Sequence, residues 1–202
     1  MQGALGRTTI TRPRLGLCRT PQWSFATDAT REALESAAQQ LVAAGAEVRQ
    51  LALPPVFEHL AAAQETIQIF EGARCCAYEL TAHRDRLSAK LLELLAPAEG
   101  LTYAAYAEAL TLAATCRRQL AAIFTDYDVL LVPSAPGEAP AGLEATGNPI
   151  FNRMWTLLHT PAVTLPSHTG SHGLPVGVQV IGPLGMDDRL LAIAAWMHAR
   201  LV

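Results

Sequence analysis

Apolar positions change period along this chain. Ala33, Leu34, Ala37, Ala38, Leu41 and Val42 recur at helical spacing, with Thr27 or Asp28 placed to cap the first turn, Glu32 and Glu35 in the early turns and Gly45 placed to close the helix. On either side that period is lost. Leu15, Leu17 and Cys18 follow Pro13 in a short apolar run, and residues 48–53 form another that Pro54 and Pro55 stop. Both runs read as strands. A helix between two such strands forms a crossover, which predicts parallel, right-handed pairing.

From residue 56 to 124 the pattern is helical, with interruptions at 81–87 and 97–100, and the alanine-rich run 102–124 is the longest candidate helix. Residues 128–132 (DVLLV) are apolar on both alternating faces after Asp128 and end at Pro133, which fits a strand covered on both sides. A loop rich in Pro, Gly and Ala occupies 134–147. Asn148 or Thr146 is placed to cap a helix containing Phe151, Met154, Trp155 and Leu158. Residues 162–165 and 176–181 read as two more strands, and Asp187 starts a terminal helix running through Leu201. Neither a repeat nor a linker divides the chain. The order of elements predicts a single α/β domain over residues 1–202, a mixed β-sheet flanked by helices.

Composition changes this picture in two ways. Hydrophobic residues make up 50% and charged residues 16% of the 202 positions, so the chain collapses rather than staying disordered. So little charge also predicts an apolar surface, through buried alanines or a face covered by further polypeptide, and hence self-association. A net charge of −3 offers no electrostatic footprint for nucleic acid or an anionic membrane. The first residues lack the apolar core of an export signal and no run is long enough to span a bilayer, so a cytoplasmic protein is expected. The four cysteines, Cys18, Cys75, Cys76 and Cys116, have no CxxC spacing. Cys75 and Cys76 are neighbours in a helical pattern and point in different directions, which disfavours a bridge.

Candidate chemistry is thin on residues alone. His168 and His172 stand four apart in SHTGSH, but Gly170 and the flanking strand signals place them at a solvated hairpin tip, with no acidic neighbour in sequence to complete a metal site. Ser167 with either histidine lacks a third, orienting group, and no GxSxG elbow exposes a serine. No GxGxxG or P-loop pattern opens a helix, so neither a nucleotide nor another cofactor is implied. His59, His83, His159 and His198 are scattered singly, and Asp187 and Asp188 suit the start of the last helix.

One long stretch carries a resemblance. TGNPIFNRMWTLLHTPAVTLPSHTGSHGLPVGVQVIGPLGMDDRLLAIAAWM is similar to the carboxy-terminal region of the amidase signature family, through Phe151 and Asn152, Pro161 and Ala162, the run from Gly173 to Gln179, Gly182, and Asp187 or Asp188. PRLGL, VRQLAL and DVLLVPSAP resemble further strands of that fold. The resemblance implies hydrolysis or transfer of carboxamides by a Ser, cis-Ser, Lys triad. The family's Gly/Ser-rich signature is absent from these residues, and the only lysine, Lys90, lies in the helical run SAKLLELL with no serine-rich loop beside it. No triad position carries over, so the chain is expected to be inactive alone.

The resemblance instead makes the hairpin a rigid wall and nominates Pro133, Ser134, Asn152 and Trp155 as substrate-side residues. Loop and core packing without ligand contact is the other reading of those four, and inward packing suits Trp155 in particular. Two other functions stay open: a non-catalytic α/β binding or assembly module, and a small Rossmann-like ligand-binding domain, which the missing phosphate loop disfavours.

Overall fold

The computed structural model describes residues 10–201. The reading of the first residues as free of an export signal falls in part on residues 1–9, outside that range. Strand β1 (Arg14–Leu17) leads to helix α1 (Asp28–Ala43) and strand β2 (Glu47–Gln50). Thr27 is the cap: its Oγ1 accepts the Thr30 N–H at 3.3 Å, while Asp28 occupies the first turn. Gly45, with φ +96°, makes the left-handed exit that a side chain would strain.

Two expectations for this unit need correction. Val42 is 54% exposed rather than part of the buried stripe. Steps of four residues overshoot a 3.6-residue turn, so the 34–38–42 row drifts off the covered face. The second strand ends at Gln50, not at 53. The Leu51 N–H still reaches Leu17 O at 2.9 Å, after which Pro54 and Pro55, which cannot donate to a ladder, lead the chain into a 3₁₀ segment, Pro55–His59.

Helices α2 (Leu60–Cys75), α3 (Ala77–Ala82), α4 (Ala89–Leu95) and α5 (Tyr103–Ile123) follow, with 3₁₀ turns at Arg84–Arg86 and Ala96–Gly100 where interruptions were expected. Ser88 and Thr102 cap α4 and α5 by accepting the backbone N–H groups of Leu91 and Ala105. Strand β3 (Val129–Pro133) is buried along its whole length. Helix α6 (Arg153–Leu157), strands β4 (Ala162–Thr169) and β5 (Pro175–Ile181), and helix α7 (Asp187–Leu201) complete the chain.

The sheet has the order β2-β1-β3-β5-β4. β1 pairs in parallel with β2 and β3, while β5 pairs antiparallel with β3 and β4. One face, carrying Leu15, Leu17, Leu131, Val178 and Val180, packs with Leu34 and Leu41 of α1 and Ile193 and Met197 of α7. The other, carrying Leu130, Val132 and Ile181, packs with α2, α5 and the Met154, Trp155 and Leu158 cluster around α6. Two covered faces explain why β3 is apolar at every position.

Two boundaries near the carboxy terminus differ from the sequence reading. β4 runs to Thr169, so His168 lies in the strand and only the 170–174 turn forms the tip. The extra length comes from pairing: after a register shift between Pro166 and His168, His168 and Thr169 oppose Val176 and Pro175. Neither Asn148 nor Thr146 caps α6. Asn148 Oδ1 accepts the Ile150 N–H at 3.0 Å and closes a local turn, and the short helix begins after Asn152, leaving Phe151 and Leu158 as its buried flanks.

The start of β3 is tied down by charge. Asp128 accepts the Arg14 backbone N–H at 2.8 Å, the Arg14 guanidinium at 3.1 Å and the Arg189 guanidinium at 2.8 Å. Burial alone would raise its pKa, but the three hydrogen bonds and the Arg14 charge together hold the carboxylate below its ordinary value. One side chain thereby joins β1, β3 and α7.

Candidate functional site

The opposite end of β3 opens onto a cleft. Pro133, opposite Val178, is buried as the last strand residue, and Ser134 follows at 8% exposure. Ser134 Oγ donates to Gly177 O at 2.7 Å, Asn152 Nδ2 donates to Ser134 O at 3.1 Å, and Gln179 Nε2 donates to Asn152 Oδ1 at 2.8 Å. The direction of this chain is fixed by elementary chemistry. A backbone carbonyl can only accept, so Asn152 must turn its amide nitrogen to Ser134, its oxygen then faces Gln179, and Gln179 must present nitrogen. Gln179 Oε1 is left buried without a partner among the described residues.

The network needs a close approach of strands. A Cβ on Gly177 would lie 2.7 Å from Thr164 Cγ2 and 3.0 Å from Leu165 O, so glycine is required there. The resulting cleft, of about 430 Å³, is lined by Ser134, Asn148, Asn152, Thr164 and Gly177. Its size suits a small organic ligand. The loop 134–149 forms its roof and is anchored from α1, where the buried Thr30 donates to Ala135 O at 3.0 Å and accepts the Gly137 N–H at 2.6 Å. From α4, Lys90 Nζ donates to Glu144 O of the same loop.

This constellation can orient a polar ligand but cannot start proton transfer. The Ser134 hydroxyl is occupied as a donor to a carbonyl, and that hydrogen bond involves no imidazole, amine or carboxylate. Ser167 Oγ is buried without a partner among the described residues. The Cys18 thiol is pushed up to about 11 by burial, which keeps it from being a thiolate nucleophile at neutral pH.

A second grouping mimics a triad without working as one. Glu138 accepts the His172 and Leu174 backbone N–H groups at 3.1 and 2.8 Å and meets His172 Nδ1 at 2.7 Å, while Ser171 Oγ lies 3.4 Å from that same nitrogen. A relay needs the carboxylate and the hydroxyl on different ring nitrogens, so this is a latch between the loop and the hairpin tip. The side-chain hydrogen bond from His172, reinforced by those from the Leu174 and His172 backbones, holds the Glu138 carboxyl below its usual value and outweighs the opposing effect of burial. Segment 137–140 also borders a second cleft, of about 600 Å³, with Asp28 and His172 on its walls.

Of the four nominated residues, Ser134 and Asn152 line the cleft. Pro133 is buried at the strand end, and Trp155, 2% exposed, packs in the core of the α6 side with its Nε1 unpartnered among the described residues. Sequence reasoning missed Glu138 and the part played by Gln179. Their partners lie 34 and 27 residues away, beyond any local pattern. It also found no acid beside the histidines, whereas folding brings Glu138 to His172 and places Glu32 Oε2 3.6 Å from His168 Nε2.

Comparison with known proteins places this geometry in a family. The family described as Amidase matches residues 6–191. The chain is 28% identical over 207 residues to 2-amino-5-chloromuconic acid deaminase of Comamonas testosteroni, covering 92% of this chain and 43% of that protein. A crystal structure of an amidase superposes with a TM-score of 0.87 at 27% identity, covering 98% of this chain and 48% of that one. The same fold recurs in 6-aminohexanoate cyclic dimer hydrolase, with a TM-score of 0.80 at 21% identity, covering 100% and 48%. The chain thus spans about half the length of these relatives. With the match running from before β1 into α7, and the whole mixed sheet shared with a solved amidase, the chain belongs to the amidase family.

Proposed function

We propose that this chain forms the amide-pocket wall of an amidase-family hydrolase acting on carbon–nitrogen bonds, and that it does not turn over amides by itself. The reading rests on the oriented Gln179, Asn152 and Ser134 network beside a cleft of ligand size, with the nearby hydroxyl engaged by a carbonyl rather than by a base. Amide hydrolysis needs an activated nucleophile, a proton for the leaving amine and donors for the oxyanion. In this proposal Ser134 and Asn152 contact a small carboxamide, while Pro133 and Trp155 set the wall from behind, and no cofactor takes part. In this proposal the chain itself supplies no member of a Ser, cis-Ser, Lys triad.

The test is turnover of aryl and aliphatic amides by the highly purified chain, with Ser134→Ala and Ser167→Ala as controls. The expected result is hydrolysis indistinguishable from buffer. Turnover well above buffer that vanishes in either variant would overturn the proposal.

A binding or assembly role is the second reading. It is favoured by Leu184, Met186 and Leu191, which are 66%, 49% and 45% exposed on and just after the β5–α7 turn. In this reading the 202 residues act as one α/β unit that self-associates through such side chains. Sedimentation across a concentration series tests it, and a monomer at every concentration would exclude it. A cytoplasmic setting belongs to the same proposal, supported by the free thiols Cys18, Cys75, Cys76 and Cys116. Among the described residues no helix is long and apolar enough to cross a membrane.

A further inference from the structure

A smaller cavity lies beside α5 and shares no lining residue with the Ser134 cleft. It measures about 180 Å³ and is bounded by Leu120, Ala121 and Phe124 of α5 and its end, Leu158 after α6, and Pro183 and Leu184 of the β5–α7 turn, with Arg117 and Thr160 supplying its polar wall. An arginine on an otherwise apolar cavity requires explanation. Among the described residues Arg117, like Arg31, Arg74, Arg118 and Arg200, has no carboxylate within ion-pair distance, and of these arginines it is the one that lines this cavity. Its Nη2 donates to Leu157 O at 2.8 Å and lies 3.1 Å from His159 Nε2, and its Nε is buried without a partner.

His159 is also unusual. It leaves α6 with φ +58°, the left-handed conformation that few non-glycine residues take, histidine more readily than most. The imidazole held there meets the guanidinium as an acceptor and, with Leu157 O, fixes one edge of its fork. Neither contact supplies a negative charge, so the guanidinium is left to pair with an anion that enters the cavity.

We propose that this cavity binds a small monocarboxylate with an apolar body, its carboxylate on Arg117 and its body against Leu120, Phe124 and Leu158. The site is independent of the amide reading, because its occupancy is measured as binding and needs no turnover.

Benzoate is the probe, titrated calorimetrically into the full chain, with benzamide and inorganic phosphate as comparators. Benzoate is expected to bind, and benzamide, which has the same shape without the charge, to bind about tenfold more weakly or worse. Arg117→Met should weaken benzoate by about the same factor, since it keeps the stem and removes the charge. Ala121→Phe fills the cavity while leaving the guanidinium in place and should also abolish the benzoate signal, which decides the matter if Arg117→Met does not fold. The proposal is overturned if benzoate does not bind, if phosphate binds as tightly as benzoate, or if benzoate binding survives both substitutions unchanged.

Discussion

The two ends of β3 are finished by opposite chemistries. At Asp128 a single carboxylate gathers a backbone N–H and two guanidinium groups, so three elements hang on one charge. At Ser134 the links are neutral and sequential, each amide oriented by the one before it, and the last, Gln179, retains an unused acceptor. The first arrangement saturates its groups and leaves nothing for a ligand. The second distributes a comparable number of hydrogen bonds over several side chains without net charge, so a cleft can sit beside it without demanding a counter-ion. A scaffold anchored electrostatically at one end can thus keep the other end polar, ordered and open.

The sharpest way to break this contrast is Asp128→Ala. It leaves the Arg14 N–H without its side-chain acceptor and two arginines without an anion, and should destabilise the chain by about 1–3 kcal/mol, or several degrees in Tm. The same carboxylate sets a pH dependence. Because its folded pKa is lowered, its contribution is fully present above the unfolded carboxylate value and is lost as pH falls through the folded one. Wild type and Asp128→Ala should therefore converge in stability under acid, as denaturant titrations at neutral pH and below about pH 4 would record; a gap that widens on acidification contradicts the Asp128 anchor.

Asn152→Ala acts at the other end and should cost about 1 kcal/mol, since it strands one carbonyl and one amide N–H beside the cleft, from which water can replace them. If its effect exceeded that of Asp128→Ala, the neutral end would be the stronger anchor and the comparison would reverse. The smallest thermal effect is expected from Glu138→Gln. It weakens the loop-to-hairpin latch without touching the core, so limited proteolysis within residues 134–149 should accelerate while Tm hardly moves. Unchanged cleavage would show that the Thr30 and Lys90 contacts hold the loop unaided.

How much of this was legible depended on whether a pattern was local. The crossover from β1 to β2, the helical stretch through α5 and the bounds of α7 follow from spacing, caps and Pro or Gly stops near each element. The extension of β4 to Thr169 was not readable, because Pro166, Ser167 and the following Gly170 have turn-like chemistry and only pairing with β5 makes 166–169 strand. Asn152 misleads a search for helix caps for a related reason: its side chain is drawn to Ser134 O and Gln179 instead of the helix it precedes. Ser134 and Asn152 were reachable through family resemblance, whereas Glu138 becomes visible only when the loop and the hairpin tip meet in space.

The register shift in β4 has a consequence for how copies of this chain can meet. β4 is an edge of the sheet, where an exposed ladder would invite an added strand and, repeated, a fibre. Pro166 withholds one N–H, and the irregularity between Pro166 and His168 bends the strand just beyond it. An incoming strand therefore finds no uninterrupted run of hydrogen-bonding groups longer than the segment before the proline. At this edge, open-ended backbone stacking is disfavoured, and any contact made there falls to side chains.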